Sequence, residues 1–342
     1  MEKRLQAFVQ LGDHLREYLA TNDKEKYQSL DELVDKCFHY NGWFNRDNVR
    51  KALGGIAHML QSKGLTEFNR EVRYTKEAKT VAVIMAGNLP AVGFHDLLCV
   101  LLCGHNILIK LSSDDNLLIP YLVEKLQEFD PSIKKQVRFA EGKLEKFDAV
   151  IATGSDNSAR YFGHYFGKYP HIIRKNRTSV AVITGKESNE DLLALGHDVF
   201  DFFGLGCRNV SKVFVPAGYK PDTLFEGVFP FKYVIENKKY ANNYEYNRAI
   251  YLLNKEPFLD NNFLLIKYSN ELHSPVGVLF LEEYKDVDAL RQRLNEQRSE
   301  IQCVVTNSGF SNEDIRFGEA QCPDVSTFAD NTNTIAFLNN LK

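Results

Sequence analysis

From Lys79 onward, short apolar runs alternate with longer amphipathic ones, and this alternation restricts the fold more than any other feature of the chain. "TVAVIMAG" ends in glycine and leads into the apolar helical run "VGFHDLLCVLLCG". "NILIKL" leads into "LLIPYLVEKLQEF", "DAVIATG" into "DNSARYFGHYFGK", and "TSVAVITG" follows. Strands separated by helical crossovers pair in parallel, because a right-twisted strand feeding a right-handed helix returns to its sheet on one hand only. An α/β fold is therefore predicted. Ligands of such sheets gather at the C-terminal ends of the strands. Here those ends are Ala86-Gly87-Asn88, Lys110 to Ser113, and Thr153-Gly154-Ser155.

Residues before this region read as helices. Leu5, Phe8, Leu11 and Leu15 recur at helical spacing. "SLDELVDKCF" predicts a helix capped by its serine, with a glutamate three residues later, and "RDNVRKALGGIAHMLQSKG" predicts a third helix that stops at Gly64. A second βα-rich region begins near Asn189. It holds the helix "EDLLALGHDVFDFFG", the strands "NFLLIKYS" and "VGVLFL", the helix "DVDALRQRLNEQ" and the strand "IQCVVT". With no repeat, low-complexity stretch or obvious linker, three regions are expected: a helical extension over 1–75, a first α/β domain over 76–185 and a second over 186–342.

The chain has 342 residues with 42 Lys plus Arg against 45 Asp plus Glu, so nothing suggests a general affinity for nucleic acid or an anionic membrane surface. The start, "MEKRLQAFVQLGDHLREYL", lacks the apolar core of a signal peptide, and the apolar run Leu97 to Cys103 is too short to span a bilayer, so no stable membrane insertion is expected. Cys99 and Cys103 lie four apart on an apolar helix, which fits packing; no His and Cys set completes a metal site. A cytoplasmic chain with reduced thiols is expected. Dinucleotide GxGxxG, Walker and HExxH signatures are absent.

One stretch stands apart. In "FFGLGCRNVSKVFVP", Phe202 to Pro216, Cys207 follows Gly204 and Gly206 and precedes the strand-like Val210, Val213, Phe214 and Val215. It sits at the mouth of the strand, where the backbone bends and a ligand can approach. The residue types alone leave alternatives open: Cys207 as nucleophile or small buried hydrophobe, Asn88 as ligand or turn residue, Lys110 as ligand or solvated strand end, "TGSDNSAR" as anion site or plain helix cap. His95, one turn beyond Asn88, is either a proton-transfer group or a hydrogen-bonded helix residue.

Taken together, the order of these segments resembles the aldehyde dehydrogenase superfamily. "GNLPAVGFHDLLCVLLCGHNILIKLSS" is similar to its asparagine turn, apolar helix and lysine strand; "ATGS" at Ala152 to Ser155 to its FTGS; "GLGCRNVSKVFV" to its cysteine loop; and "NELHSPVGV" to its EEIFGPV. The likeness runs from about Lys79 to Thr306. Within the superfamily the chain is most similar to acyl-CoA reductases of the LuxC type. The glutamate base of the hydrolytic members falls near Ile173, in "IRKNRTSVAV", where no carboxylate stands; the chain is also short, and its end, "CPDVSTFADNTNTIAFLNN", departs from the usual tail.

This resemblance implies a Rossmann-type cofactor lobe over 76–185, a cysteine-bearing catalytic lobe over 186–342, and a helical N-terminal extension. It implies NAD(P)H-dependent reduction of an acyl thioester, such as acyl-CoA, to aldehyde through an acyl-cysteine on Cys207. Asn88 would assist at the oxyanion, and His95 is the best-placed histidine for proton transfer. Lys110 would bind the adenosine ribose, Gly154 and Ser155 the pyrophosphate, and Glu271 the nicotinamide ribose. Ser113 stands where NAD-selective members carry a glutamate, which favours NADPH over NADH unless Asp114 or Asp115 replaces that carboxylate. A homo-oligomer or an acyl-transferring partner enzyme is compatible with the family. The rival readings are an aldehyde dehydrogenase that forms acids, and a non-catalytic nucleotide-binding member.

Overall fold

The valine- and isoleucine-rich runs form parallel strands in the computed structural model, which describes residues 2–341 apart from Asn22, Lys24 and Asn312. The chain divides into two units, one of residues 1–176 with 322–342 and one of residues 177–321.

The first unit opens with helices α1 (Glu2–Ala20), α2 (Gln28–Tyr40), α3 (Arg46–Met59) and α4 (Ser62–Phe68). The serine-capped start expected for the second helix is not used. Tyr27 stands at the cap position without a side-chain cap bond, and Glu32 instead accepts from the Gln28 amide at 3.0 Å. The expected third helix is two, because the helix ends at Met59 and α4 runs through Gly64.

Then follow β1 (Thr80–Ile84), α5 (Phe94–Leu102), β2 (Asn106–Lys110), α6 (Leu118–Phe129), β3 (Val137–Phe139), β4 (Ala149–Thr153), α7 (Asp156–Phe166) and β5 (His171–Arg174). Among the described residues these strands form one parallel sheet in the order β3-β2-β1-β4-β5, a Rossmann-like arrangement. Register sets the ends level: Ile84 pairs with Lys110 on one side and Ala152 on the other, and Thr153 pairs with Arg174. The three predicted strand ends therefore share one edge.

The N-terminal helices are not a separate layer with a core of their own. Phe8, Leu11, Leu15, Leu30 and Leu53 belong to the same apolar cluster as Leu97, Leu101, Ile107 and Ile109 of the sheet and its helices. Arg4, buried in α1, donates to Asp130 at 3.1 Å and to the Leu101 carbonyl at 2.9 Å. The chain's last segment joins this core through Val325, Ile335 and Leu338, and its helix Thr334–Asn339 packs on α5.

The second unit contains β6 (Thr178–Val182), α8 (Asn189–Phe200), β7 (Val210–Pro216), α9 (Pro221–Val228), α10 (Lys238–Asn254), β8 (Leu259–Asp260), β9 (Leu265–Tyr268), β10 (Val278–Tyr284), α11 (Val287–Glu296) and β11 (Ile301–Val305). The strand order is β11-β6-β7-β10-β9-β8, parallel except for the β8–β9 pair. The strand "TSVAVITG", expected in the first α/β domain, is β6 and hydrogen-bonds to β7 and β11 of this second sheet. The units accordingly part at 176/177 instead of 185/186, and residues 322–342 pack with the first unit.

Candidate active site

In the second unit, α8 begins at a reciprocal capping box between Ser188 and Asp191 and runs to Phe200. Beyond it the backbone enters the left-handed region four times: Phe202 (φ 54°), Phe203 (φ 59°), Gly204 (φ 76°) and Gly206 (φ 97°). Glycine adopts this conformation freely, whereas each phenylalanine costs about 1–2 kcal/mol there. Burial of both rings offsets that cost, and such strain concentrates at functional turns. Cys207 follows, half-buried, just ahead of β7.

Ser179 of β6 holds this turn. Its hydroxyl donates to the Cys207 carbonyl at 3.0 Å and its backbone N–H donates to the Asn209 carbonyl at 3.0 Å. The pairing then skips a residue, Ser179 facing Val210 and Val180 facing Lys212, so that Ser211 forms a bulge beside the turn. The Ser211 hydroxyl donates to the Leu272 carbonyl at 2.6 Å, which ties down the segment carrying the exposed Glu271. Lys212, fully buried, pairs with Glu282 of β10 and donates to the Ser269 carbonyl at 2.9 Å. Burial holds its ammonium below the usual lysine range.

The Arg208 guanidinium donates to the Ala320 carbonyl at 3.3 Å. The same segment is pinned by Asp198 of α8, whose carboxylate accepts from the Gly318 and Ala320 N–H groups at 2.6 and 3.0 Å. Burial pushes Asp198 up to about 7, despite these two donors.

In the first unit, the exposed Asn88 occupies the β1–α5 turn. Asn41 at the end of α2 donates to the Gly87 carbonyl at 3.2 Å, and the N–H of Ala91 (φ 54°) donates to Asp115 at 2.6 Å. A Cβ on Gly87 would lie 2.4 Å from the Ser112 hydroxyl oxygen, so the 87–91 and 111–115 loops touch. Asp115 is buried and pushed up to about 6 by desolvation. Ser113 and Asp114 are exposed.

Lys110 is half-buried at the end of β2 and makes no ion pair among the described residues. Ser155 caps α7 by accepting from the Ser158 N–H at 3.2 Å. A Cβ on Gly154 would lie 2.8 Å from Ser158 Cβ, so the strand passes into the helix without room for a side chain. A cationic strand end, a helix N-terminus and a crowded glycine turn on one sheet edge fit a dinucleotide with its ribose and pyrophosphate.

His95 does not join this edge. Its Nε2 donates to the Val325 carbonyl at 2.8 Å and its ring packs among Phe68 and Phe328. The ring is thereby anchored to the C-terminal segment. At the position expected to lack a catalytic glutamate, Ile173 packs on Ala82, Val150 and Ala152. Its neighbour Arg174 is 4% exposed and grips Asp96, 6% exposed, through two bonds of 2.6 and 2.8 Å, so this buried carboxylate is committed to the guanidinium. The cysteines of α5 pack as expected: both are buried, desolvation raising Cys99 well above its ordinary range and Cys103 to about 12.

The sequence profile of the acyl-CoA reductase (LuxC) family matches residues 7–223, a span that takes in the Asn88 turn, Lys110, the Gly154 turn and Cys207. The chain belongs to the LuxC acyl-CoA reductase family. As a member of it, the protein is an oxidoreductase acting on acyl or aldehyde groups. No curated protein matches the chain. Its fold is that of the aldehyde dehydrogenases. Similar structures include an NAD-dependent aldehyde dehydrogenase from Sinorhizobium meliloti (TM-score 0.66, 12% identity, 90% of this chain and 70% of that one). Others are the aldehyde dehydrogenase KauB from Pseudomonas aeruginosa (0.65, 13%, 90% and 72%) and aldehyde dehydrogenase 21 from Physcomitrella patens, solved with its reaction product succinate (0.62, 11%, 90% and 73%). Among the described residues of this family member, no helix is long and apolar enough to cross a membrane.

Sequence reasoning missed the residues that hold the two turns. Ser179 lies in a strand read only as apolar, Asn41 in the helical region, and Asp115 was weighed only for the ribose. The one available signal was Ser179 itself, a hydroxyl inside "TSVAVITG".

Proposed function

We propose that this protein reduces an acyl thioester, acyl-CoA, to the aldehyde with NADPH, NADH serving less well, through an acyl-cysteine on Cys207. The observation that carries the proposal is the strained Phe202–Gly206 run presenting Cys207 at the mouth of β7, in a chain of this family. The Cys207 thiolate attacks the thioester carbonyl carbon; a new C–S bond forms and CoA leaves as its thiolate. Negative charge that develops on the carbonyl oxygen is received by the Cys207 backbone N–H and the Asn88 amide. A nicotinamide held there would supply the hydride that the acyl carbon takes up, and Cys207 would then leave as its thiolate when the C–S bond breaks, giving the aldehyde. Lys110 takes the adenosine ribose, the α7 N-terminus at Gly154 and Ser155 the pyrophosphate, and Glu271 the nicotinamide ribose. Ser113 leaves room for a 2′-phosphate that a glutamate would repel. With Ile173 in place of a water-activating carboxylate, the acyl-enzyme is not turned toward acid.

The test is mass spectrometry after incubation with acyl-CoAs of several chain lengths. An acyl adduct is expected on the wild type and on Cys99→Ala and Cys103→Ala, and none on Cys207→Ala with unchanged circular dichroism. An adduct on Cys207→Ala, or acid made from aldehyde without CoA at the faster rate, would overturn the proposal.

A further inference from the structure

We propose that Ser179 is a positioning residue for the Cys207 turn, with the Cys303 thiol as the hydrogen-bond donor behind it. The inference rests on the reading of Cys207 as nucleophile. Ser179 is fully buried in β6, and its hydroxyl has a single proton. That proton goes to the Cys207 carbonyl at 3.0 Å. The hydroxyl oxygen lies 2.9 Å from Cys303 Sγ in β11, so the thiol S–H is left to donate to it. The result is a chain from Cys303 through Ser179 to the backbone of Cys207. Burial pushes the Cys303 thiol up to about 11, which keeps it a neutral donor at physiological pH.

The geometry explains why this turn needs such a hold. On its upstream side Gly206, at φ 97°, gives little restraint. On its downstream side the β6–β7 ladder skips a residue immediately after Ser179. Ser179 bridges the gap by taking both carbonyls of the turn, Cys207 with its side chain and Asn209 with its main chain. Fixing the Cys207 carbonyl fixes the plane of the Cys207–Arg208 peptide and with it the aim of the sulfur. Ser179 touches no reacting atom, so its effect belongs in the rate of attack and not in substrate binding. A displacement of about 1 Å at a reacting group costs on the order of 100-fold in rate.

The experiment measures single-turnover acylation by acyl-CoA and KM in wild type and five variants, with the rate of Cys207 alkylation by iodoacetamide wherever Cys207 is present. Ser179→Ala is expected to acylate about 10- to 100-fold more slowly, with KM within about twofold of wild type. Cys303→Ser, which keeps a donor, is expected near wild type, and Cys303→Ala a few-fold slower. Tyr284→Phe loses a bond of the same kind in the same unit, from the Tyr284 hydroxyl to the Ile183 carbonyl at 2.8 Å, and is expected to acylate normally. The fifth variant, Cys207→Ala, separates the two readings. If it is not acylated and Ser179→Ala acylates at the wild-type rate, the positioning role is wrong and the nucleophile stands. If it is acylated, the nucleophile reading itself fails. Equal slowing by Tyr284→Phe would reduce Ser179 to a general stability effect and also overturn the inference. If Ser179→Ala does not fold, Cys303→Ala against Cys303→Ser decides, equal rates being the refuting result.

Discussion

Replacing Asp96 by leucine should destabilise the first unit more than any conservative change in its apolar core. Asp96 and Arg174 are 6% and 4% exposed and are joined by two bonds of 2.6 and 2.8 Å; a third, of 3.0 Å, runs from Arg174 to the Thr334 hydroxyl. Breaking such a pair leaves a guanidinium buried without its counter-charge, which costs about 3–5 kcal/mol. The partner change, Arg174→Met, should cost less near neutrality, because an abandoned carboxylate can take up a proton while a guanidinium cannot lose one. The double variant Asp96→Leu/Arg174→Met removes both charges and should be more stable than Asp96→Leu alone.

The chain's single tryptophan, Trp43, lies in the first unit, so urea unfolding followed by its fluorescence reports on this unit. With a urea slope of about 1–3 kcal/mol per M, the Asp96→Leu midpoint should fall by about 1 M or more. A loss below about 1 kcal/mol for Asp96→Leu, or a double variant whose loss is the sum of the singles, would refute this account of the pair.

Asp198 should make the second unit less stable as pH rises. Its folded pKa of about 7 exceeds the ordinary 3.8, so its contribution is complete below about 4 and is lost as pH climbs through 7. Between pH 5 and 7 the loss should be about 2 kcal/mol by far-UV circular dichroism melts, and Asp198→Asn should lack this slope. Gly196→Ala places a Cβ 2.2 Å from the Phe231 ring, itself stacked on Phe200, and should cost about 1–3 kcal/mol by urea unfolding despite alanine's better helix propensity. Ser113→Glu should move the kcat/KM ratio toward NADH by about tenfold or more; an unchanged ratio would remove Ser113 from cofactor choice.

Much of the architecture was legible because each strand of the first sheet is short, apolar and followed by a helix with its own period. The strands that escaped notice are the ones without that pattern: β3 is three residues, and β5 reads "HIIR" inside a basic run. Helix α10 escaped for another reason. Its buried face is Tyr240, Tyr244, Asn247 and Tyr251, a stripe of polar-tipped side chains, with Leu252 and Leu253 turned to solvent. Strand β6 was recognised but assigned to the wrong sheet, since its partners β7 and β11 are separated from it by long stretches of chain. At the candidate site, the glycines around Cys207 and at the strand ends were visible locally. The residues that hold those turns were not, because Ser179, Asn41 and Asp115 reach them only through tertiary folding.

The first unit is assembled from both ends of the chain, and this has a consequence for how the protein is made on the ribosome. Residues 177–321 form their unit from one continuous stretch, whereas residues 1–176 need residues 322–342 to complete theirs. When residue 321 has been translated, the first unit still lacks Val325, Ile335 and Leu338 from its core, the Val325 carbonyl for His95, and the Thr334 hydroxyl for Arg174. Until those last residues emerge, the nascent first half carries an uncovered apolar patch beside α5. The unit translated first is thus the one that residues translated after the other unit must complete.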